Sequence, residues 1–93
     1  MLRVTVVESS KIAVTLRVEG RITGPWVEEL RKVCNVHTSP GSVQLSLDLA
    51  DIAFADTAGV SLLKELRNRG IGLIRTTPFL AEQLKDKTSY LEF

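Results

Sequence analysis

With 93 residues, 44% hydrophobic and 25% charged, the chain reads as one ordinary globular domain, residues 1–93, able to bury roughly 60–65% of its unfolded surface. A formal net charge of +1 gives no general pull toward nucleic acid or anionic lipid, so direct binding of nucleic acid is not expected. The single cysteine, Cys34, excludes an internal disulfide; with no signal-peptide pattern and no run near the ~18–20 apolar residues that span a bilayer, the expectation is a soluble, cytoplasmic domain without membrane insertion.

Leu2–Val7 and Ile12–Val18 are rich in β-branched residues and nearly alternate, and the polar break Glu8-Ser-Ser-Lys11 between them predicts a hairpin. Gly20 is expected to end the second strand. Thr23-Gly-Pro25 reads as a helix start, because proline loses nothing at the first helical turn. From Trp26 to Val36 the apolar residues Val27, Leu30, Val33 and Cys34 recur at helical spacing. Glu28 and Glu29 come early and Arg31 and Lys32 later, the order the helix dipole prefers. Thr38-Ser-Pro-Gly41 reads as loop, and Val43–Leu49 as a third strand with Leu45, Leu47 and Leu49 on one face.

A second helix capped by Asp56 or Thr57 carries Val60, Leu62, Leu63 and Leu66 and stops at Arg69-Gly70. Ile71–Ile74 is expected as a short buried strand. Thr77-Pro78 starts a third helix with Leu80, Ala81 and Leu84 inward, and Tyr90–Phe93 reads as a last edge strand or a tail. Helices alternating with strands after a hairpin predict an α/β fold: a mixed sheet with amphipathic helices packed on one face and the other face partly solvated.

Enzymatic constellations find little support, and no catalytic, cofactor-binding or metal-binding residues are assigned. His37 follows Cys34 by three positions, but Cys34 falls on the apolar stripe and reads as a buried thiol beside a surface histidine. No further cysteine or histidine completes a zinc set, and no glycine-rich phosphate loop or nucleophile elbow is present. Asp48, Asp51 and Asp56, read as spread over a strand end and loop, are weak ground for a cation site. Trp26 reads either as a partner anchor or as packing against the sheet edge, and Lys64, Arg67 and Arg69 as a solvated helix face.

The corner from Leu45 to Leu63 is more informative. An apolar strand delivers Asp56 and Thr57 to the first turn of a helix, where unpaired N–H groups and the positive dipole end favour negative charge. Both residues are also ordinary helix caps, and Gly59 permits close backbone approach that suits packing as well as docking.

Leu47-Asp-Leu-Ala-Asp-Ile-Ala-Phe-Ala-Asp-Thr-Ala-Gly-Val60, with Gly20-Arg-Ile22 upstream and Gly70-Ile-Gly-Leu-Ile74 and Thr77-Pro78 downstream, resembles the STAS domain. This is the sulfate-transporter and anti-sigma-factor-antagonist family, and the resemblance covers residues 2–90. It implies a regulatory protein-binding module, not an enzyme, that uses no cofactor. In the antagonists the hydroxyl residue after the aspartate is phosphorylated by a serine kinase that is also the anti-sigma factor, and that position is Thr57 here. The resemblance thus implies that the unmodified surface binds the kinase and releases a sigma factor, regulating transcription, and that phosphate ends the complex. The partner surface it implies comprises Gly20, Thr23, Asp56, Thr57, Ala58, Gly59, Ser61 and Lys64.

Antagonists usually carry serine as acceptor, often beside another hydroxyl, whereas this chain has Thr57 and Ala58. Asp-Thr-small-Gly is similar also to the accessory STAS subunit of phospholipid-transport ABC complexes, whose partner is the transporter ATPase. A nucleotide or small-ligand sensor is a third reading, without a phosphate loop to support it. Many relatives add a fourth helix beyond the position of Phe93; without that cover, apolar surface is expected to be open to a partner or to a second copy in a homodimer.

Overall fold

A computed structural model describes residues 2–38 and 44–85. Strands β1 (Leu2–Ser9) and β2 (Ala13–Ile22) form the hairpin, followed by helix α1 (Pro25–Thr38), strand β3 (Gln44–Ala55), helix α2 (Thr57–Asn68), strand β4 (Gly72–Ile74) and helix α3 (Pro78–Gln83). The sheet order is β1-β2-β3-β4. The first pair is antiparallel and the other two are parallel. Parallel neighbours need a crossover, which α1 supplies between β2 and β3 and α2 between β3 and β4.

Alternation along the strands decides which face is covered. Val14, Leu16 and Val18 of β2 are buried, while Thr15 and Arg17 between them and Glu19 after them are half-exposed. Leu45, Leu47 and Leu49 continue the same face on β3. Against it pack Val27, Leu30 and Cys34 of α1 and Val60, Leu62, Leu63 and Leu66 of α2. Each fully buried leucine contributes about 1.5–3 kcal/mol of transfer free energy. The expected mixed sheet with helices on one face is therefore the observed architecture.

Helix α2 ends as Gly70 predicts. Its φ of +90° lets its N–H reach Arg67 C=O at 3.0 Å and that of Ile71 reach Leu66 C=O at 3.1 Å, a Schellman closure. Arg31 of α1 ties the two large helices together, its guanidinium donating to Glu65 at 3.0 and 3.2 Å and also to Glu28. These bonds hold the Glu65 carboxyl below the usual range and push the Arg31 guanidinium up.

Several boundaries differ from the sequence reading. Gly20 does not end β2; it lies inside the strand with φ +106° beside a bulge, and pairing continues to Ile22. β3 does not stop at Leu49 but runs to Ala55, because Ile52 and Ala55 still have a buried side to fill. Thr38 belongs to α1 rather than to a loop, its hydroxyl donating to Cys34 C=O at 2.8 Å. On α3 Leu80 and Leu84 are buried but Ala81 is exposed, and β4 is only partly buried, Ile74 being exposed. The expected loop residues 39–41, Val43 and the Tyr90–Phe93 segment lie outside the described residues.

Candidate functional site

The strand-to-helix corner is built around one carboxylate. Asp56 is extended (φ −80°, ψ −177°) and caps α2, its Oδ1 accepting the Gly59 N–H at 2.8 Å. Its Oδ2 accepts the Gly24 N–H at 3.3 Å, 32 residues back in the chain. Its own N–H donates to Ile22 C=O at 3.3 Å. The turn Thr23-Gly24, the end of β2 and the first turn of α2 therefore meet at a single side chain. Gly24 can take part because it adopts φ +55°, and α1 starts from the same turn, with Trp26 N–H on Thr23 C=O at 3.0 Å.

Gly59 sets how closely these elements approach. An ideal Cβ built there falls 2.2 Å from the Ile22 carbonyl oxygen, so any side chain would drive the first turn of α2 off the sheet. Gly59 is buried, and packing is the structural side of its dual reading. Thr57, the first residue of α2, is exposed, and its hydroxyl has no protein partner among the described residues. Ala58 and Ser61 are also exposed, Lys64 and Thr23 are half-buried, and half-buried Gly20 lies back in β2 rather than in the turn. The structure thus joins Thr23 and Gly24 to Asp56–Gly59, and leaves Ser61 and Lys64 further along α2.

Other candidates resolve differently. Cys34 is fully buried, and desolvation pushes its thiol up to about 11, the reverse of an activated nucleophile. The acidic residues are not spread over a loop. Asp48 is buried within β3, accepting the Ala50 N–H at 3.1 Å and facing Arg75 at 3.6 Å, while Asp51 faces Arg17 at 4.0 Å. No group of carboxylate, cysteine and histidine ligands suited to a metal occurs among the described residues. Arg67 and Arg69 are not a merely solvated face. Arg67 donates to Leu84 C=O at 3.0 Å and Arg69 to the Thr38 hydroxyl at 3.4 Å. Trp26 is half-buried.

The sequence reading missed the Asp56–Gly24 bond and the Arg31–Glu65 clamp. Both partners of each lie more than 30 residues apart, beyond any periodicity signal. A hint was available for the clamp, since Arg31 and Glu65 are opposite charges on two helices expected on the same face of the sheet.

A mixed four-stranded sheet covered by helices, with an aspartate-capped helix presenting a hydroxyl at the strand-to-helix corner, defines a class of small α/β modules. The family model of the STAS domain matches residues 3–73, and the chain belongs to the STAS domain family. Solved structures share the fold. One of them is the anti-sigma factor antagonist SpoIIAA in its unphosphorylated form, which aligns with a TM-score of 0.67 at 20% identity over 86% of this chain and 79% of that one. No curated protein sequence matches the chain. Among the described residues no helix is long and apolar enough to cross a membrane.

Proposed function

We propose that residues 1–93 form one STAS domain that works as an anti-sigma factor antagonist, a protein-binding module without catalysis of its own. In this reading a partner anti-sigma kinase binds the corner formed by Thr23, Gly24 and Asp56–Ser61, and phosphorylation of Thr57 ends the complex. The observation that carries it is the exposed, unpartnered Thr57 hydroxyl on a turn that Asp56 fixes from two sides. Likeness in fold to an anti-sigma factor antagonist supports the same reading.

The chemistry follows from charge. A phosphate adds about −1.5 to −2 charges and large acceptor oxygens. At the first residue of α2 it meets the positive end of the helix dipole, so the free domain tolerates it. At an interface the same group lies beside the Asp56 carboxylate, which is already committed to two N–H donors and cannot turn away. Like-charge repulsion and the cost of desolvating the phosphate then oppose the complex. Threonine in place of serine restricts χ1, so the kinase must accept a stiffer acceptor.

Isothermal titration of the wild-type chain and of Thr57→Glu against anti-sigma kinases tests the proposal. Binding of the wild-type chain to one of them, with affinity lost in Thr57→Glu, is the expected result. Equal affinities would remove the corner from the interface. The Asp56-Thr57-Ala58-Gly59 order, with alanine where a second hydroxyl is usual, favours a second reading as the accessory subunit of a phospholipid-transport ABC ATPase. That reading predicts a stable complex with the ATPase that phosphatase treatment leaves intact.

A further inference from the structure

Beside the corner lies an apolar groove that the reading above does not use. It runs between the end of β3 and the start of α3, has a volume of about 250 Å3, and is walled by Ala53, Phe54, Ala55, Thr77 and Phe79. Phe54 is 39% exposed and Phe79 54%, although burying such a ring contributes about 1.5–3 kcal/mol. Local geometry keeps both outside the core. Arg21 and Phe54 are paired across β2 and β3, one step before the pair Ile22 and Ala55, which is buried. Phe79 is the second residue of α3, whose inward positions are filled by Leu80 and the capping Leu84. Single apolar side chains scattered over a surface need no explanation, but two phenyl rings flanking one concavity are not scattered.

A cation stands next to Phe54, one of the residues that wall the groove. The guanidinium of Arg21 stands 5.7 Å from the centre of the Phe54 ring, an exposed cation–π arrangement. No carboxylate among the described residues pairs with it. Of the carboxylates nearby, Asp51 faces Arg17, Asp56 holds Gly24 and Gly59, and Glu82 pairs with Lys85 at 3.3 Å, while Glu19, two residues before Arg21 in β2, makes no ion pair with it. An apolar slot beside a guanidinium that pairs with no carboxylate among the described residues is complementary to an apolar side chain followed closely by a carboxylate. Ala55 lines the groove and is bonded directly to Asp56, so the groove adjoins the corner along the chain.

Resting on the reading of the Asp56 corner as a partner surface, we propose that the groove is the second half of that surface. It takes an apolar side chain of the partner between Phe54 and Phe79, and a neighbouring partner carboxylate lies on Arg21. Corner and groove then divide the work. The groove supplies desolvated apolar area of the kind that dominates binding energy, while the corner carries the charge switch.

The test uses 3-phenylpropionate, a phenyl ring with a carboxylate two carbons away, titrated into the isotope-labelled full chain and followed by NMR. Saturable shifts of the amides of residues 52–55, 77, 79 and 80, with a dissociation constant on the order of millimolar, are expected for so small a ligand. Arg21→Gln should weaken binding roughly two- to fivefold, the span of an exposed ion pair, and the uncharged 3-phenylpropanol should be indifferent to that change. Phe79→Ser, at an exposed position, should abolish the shifts while circular dichroism stays that of the wild type. No saturable shift up to about 20 mM, shifts centred elsewhere, or an Arg21→Gln chain that binds as well as wild type would overturn the proposal.

A second arm uses any anti-sigma kinase that binds the wild-type chain, for which Phe79→Ser should cost about tenfold or more in affinity. Undiminished binding there would overturn the groove while leaving the corner reading standing. A fragment seated in the groove with no kinase bound to the wild-type chain would remove the corner reading and leave the groove as an apolar, acid-recognising site.

Discussion

Replacing Gly59 by alanine sets two opposing effects against each other. Inside a helix, glycine to alanine ordinarily stabilises by about 0.5–1 kcal/mol, because the unfolded chain loses freedom. Here the new Cβ would stand 2.2 Å from the Ile22 carbonyl oxygen, and the obstacle is backbone, which cannot swing aside as a side-chain tip can. Relief requires the first turn of α2 to move outward by roughly 1 Å, and overpacking of this kind costs about 1–3 kcal/mol. That movement also strains the Asp56 N–H bond to Ile22 and the Gly24 N–H bond to Asp56, both already 3.3 Å long. Further loss of about 1 kcal/mol follows if either gives way.

The clash outweighs the helix propensity, and a net loss of about 2 kcal/mol is expected. For a domain of this size that lowers the midpoint by roughly 8–16 °C. Thermal and urea unfolding followed by circular dichroism measure it, with Ala58→Gly as control. Ala58 is exposed on the same turn, so that change should cost only the propensity difference of about 1 kcal/mol. A Gly59→Ala chain as stable as the wild type would refute the claim that close approach of α2 to β2 builds the corner.

Asp56→Ala removes the cap of α2 and the link to Gly24 together, and a loss of about 1–2 kcal/mol in urea unfolding is expected, with Asp56→Asn retaining part of it. The depressed Glu65 carboxyl makes acid stability directional. Its contribution is present above the unfolded value of 4.5 and is lost as pH falls through the lower folded value, so Glu65→Gln should flatten the acid limb of a stability–pH curve and leave neutral pH slopes unchanged. With its thiol raised to about 11 and fully buried, Cys34 should react with a thiol reagent at pH 8 only as fast as the chain unfolds; immediate labelling of the folded protein would contradict its place in the core.

Much of this fold is legible where one residue decides a local question. Pro25 and Gly70 mark a helix start and a helix stop because their backbones suit only a few positions, and both are found there. Leu45, Leu47 and Leu49 alternate so regularly that the core face of β3 follows from them. The errors fall where local chemistry was overridden. Gly20 looks like a strand end, yet pairing on both sides holds it inside β2 and its positive φ is spent on a bulge. The run from Ala50 to Ala55 looks like a loop because it opens with small and acidic residues, but pairing with β2 through Ile52, Phe54 and Ala55 keeps it extended.

At the corner, the cap role of Asp56 could be read from residue type, since aspartate before a helical run is a favoured N-cap. Its second bond, to Gly24, could not be, because it depends on how β2 and α2 are brought together. The same holds for Phe54 and Arg21, which meet only through the register of β2 on β3.

The most direct measurement is the site of phosphate transfer. Wild-type chain and Thr57→Ala are each incubated with ATP and an anti-sigma kinase, then digested and sequenced by mass spectrometry while complex formation is followed by size exclusion. Phosphate on Thr57 alone, dissociation of the complex on modification, and a Thr57→Ala chain that stays bound are the predicted results. Phosphate on another residue, or a Thr57-phosphorylated chain still bound to the kinase, would contradict them.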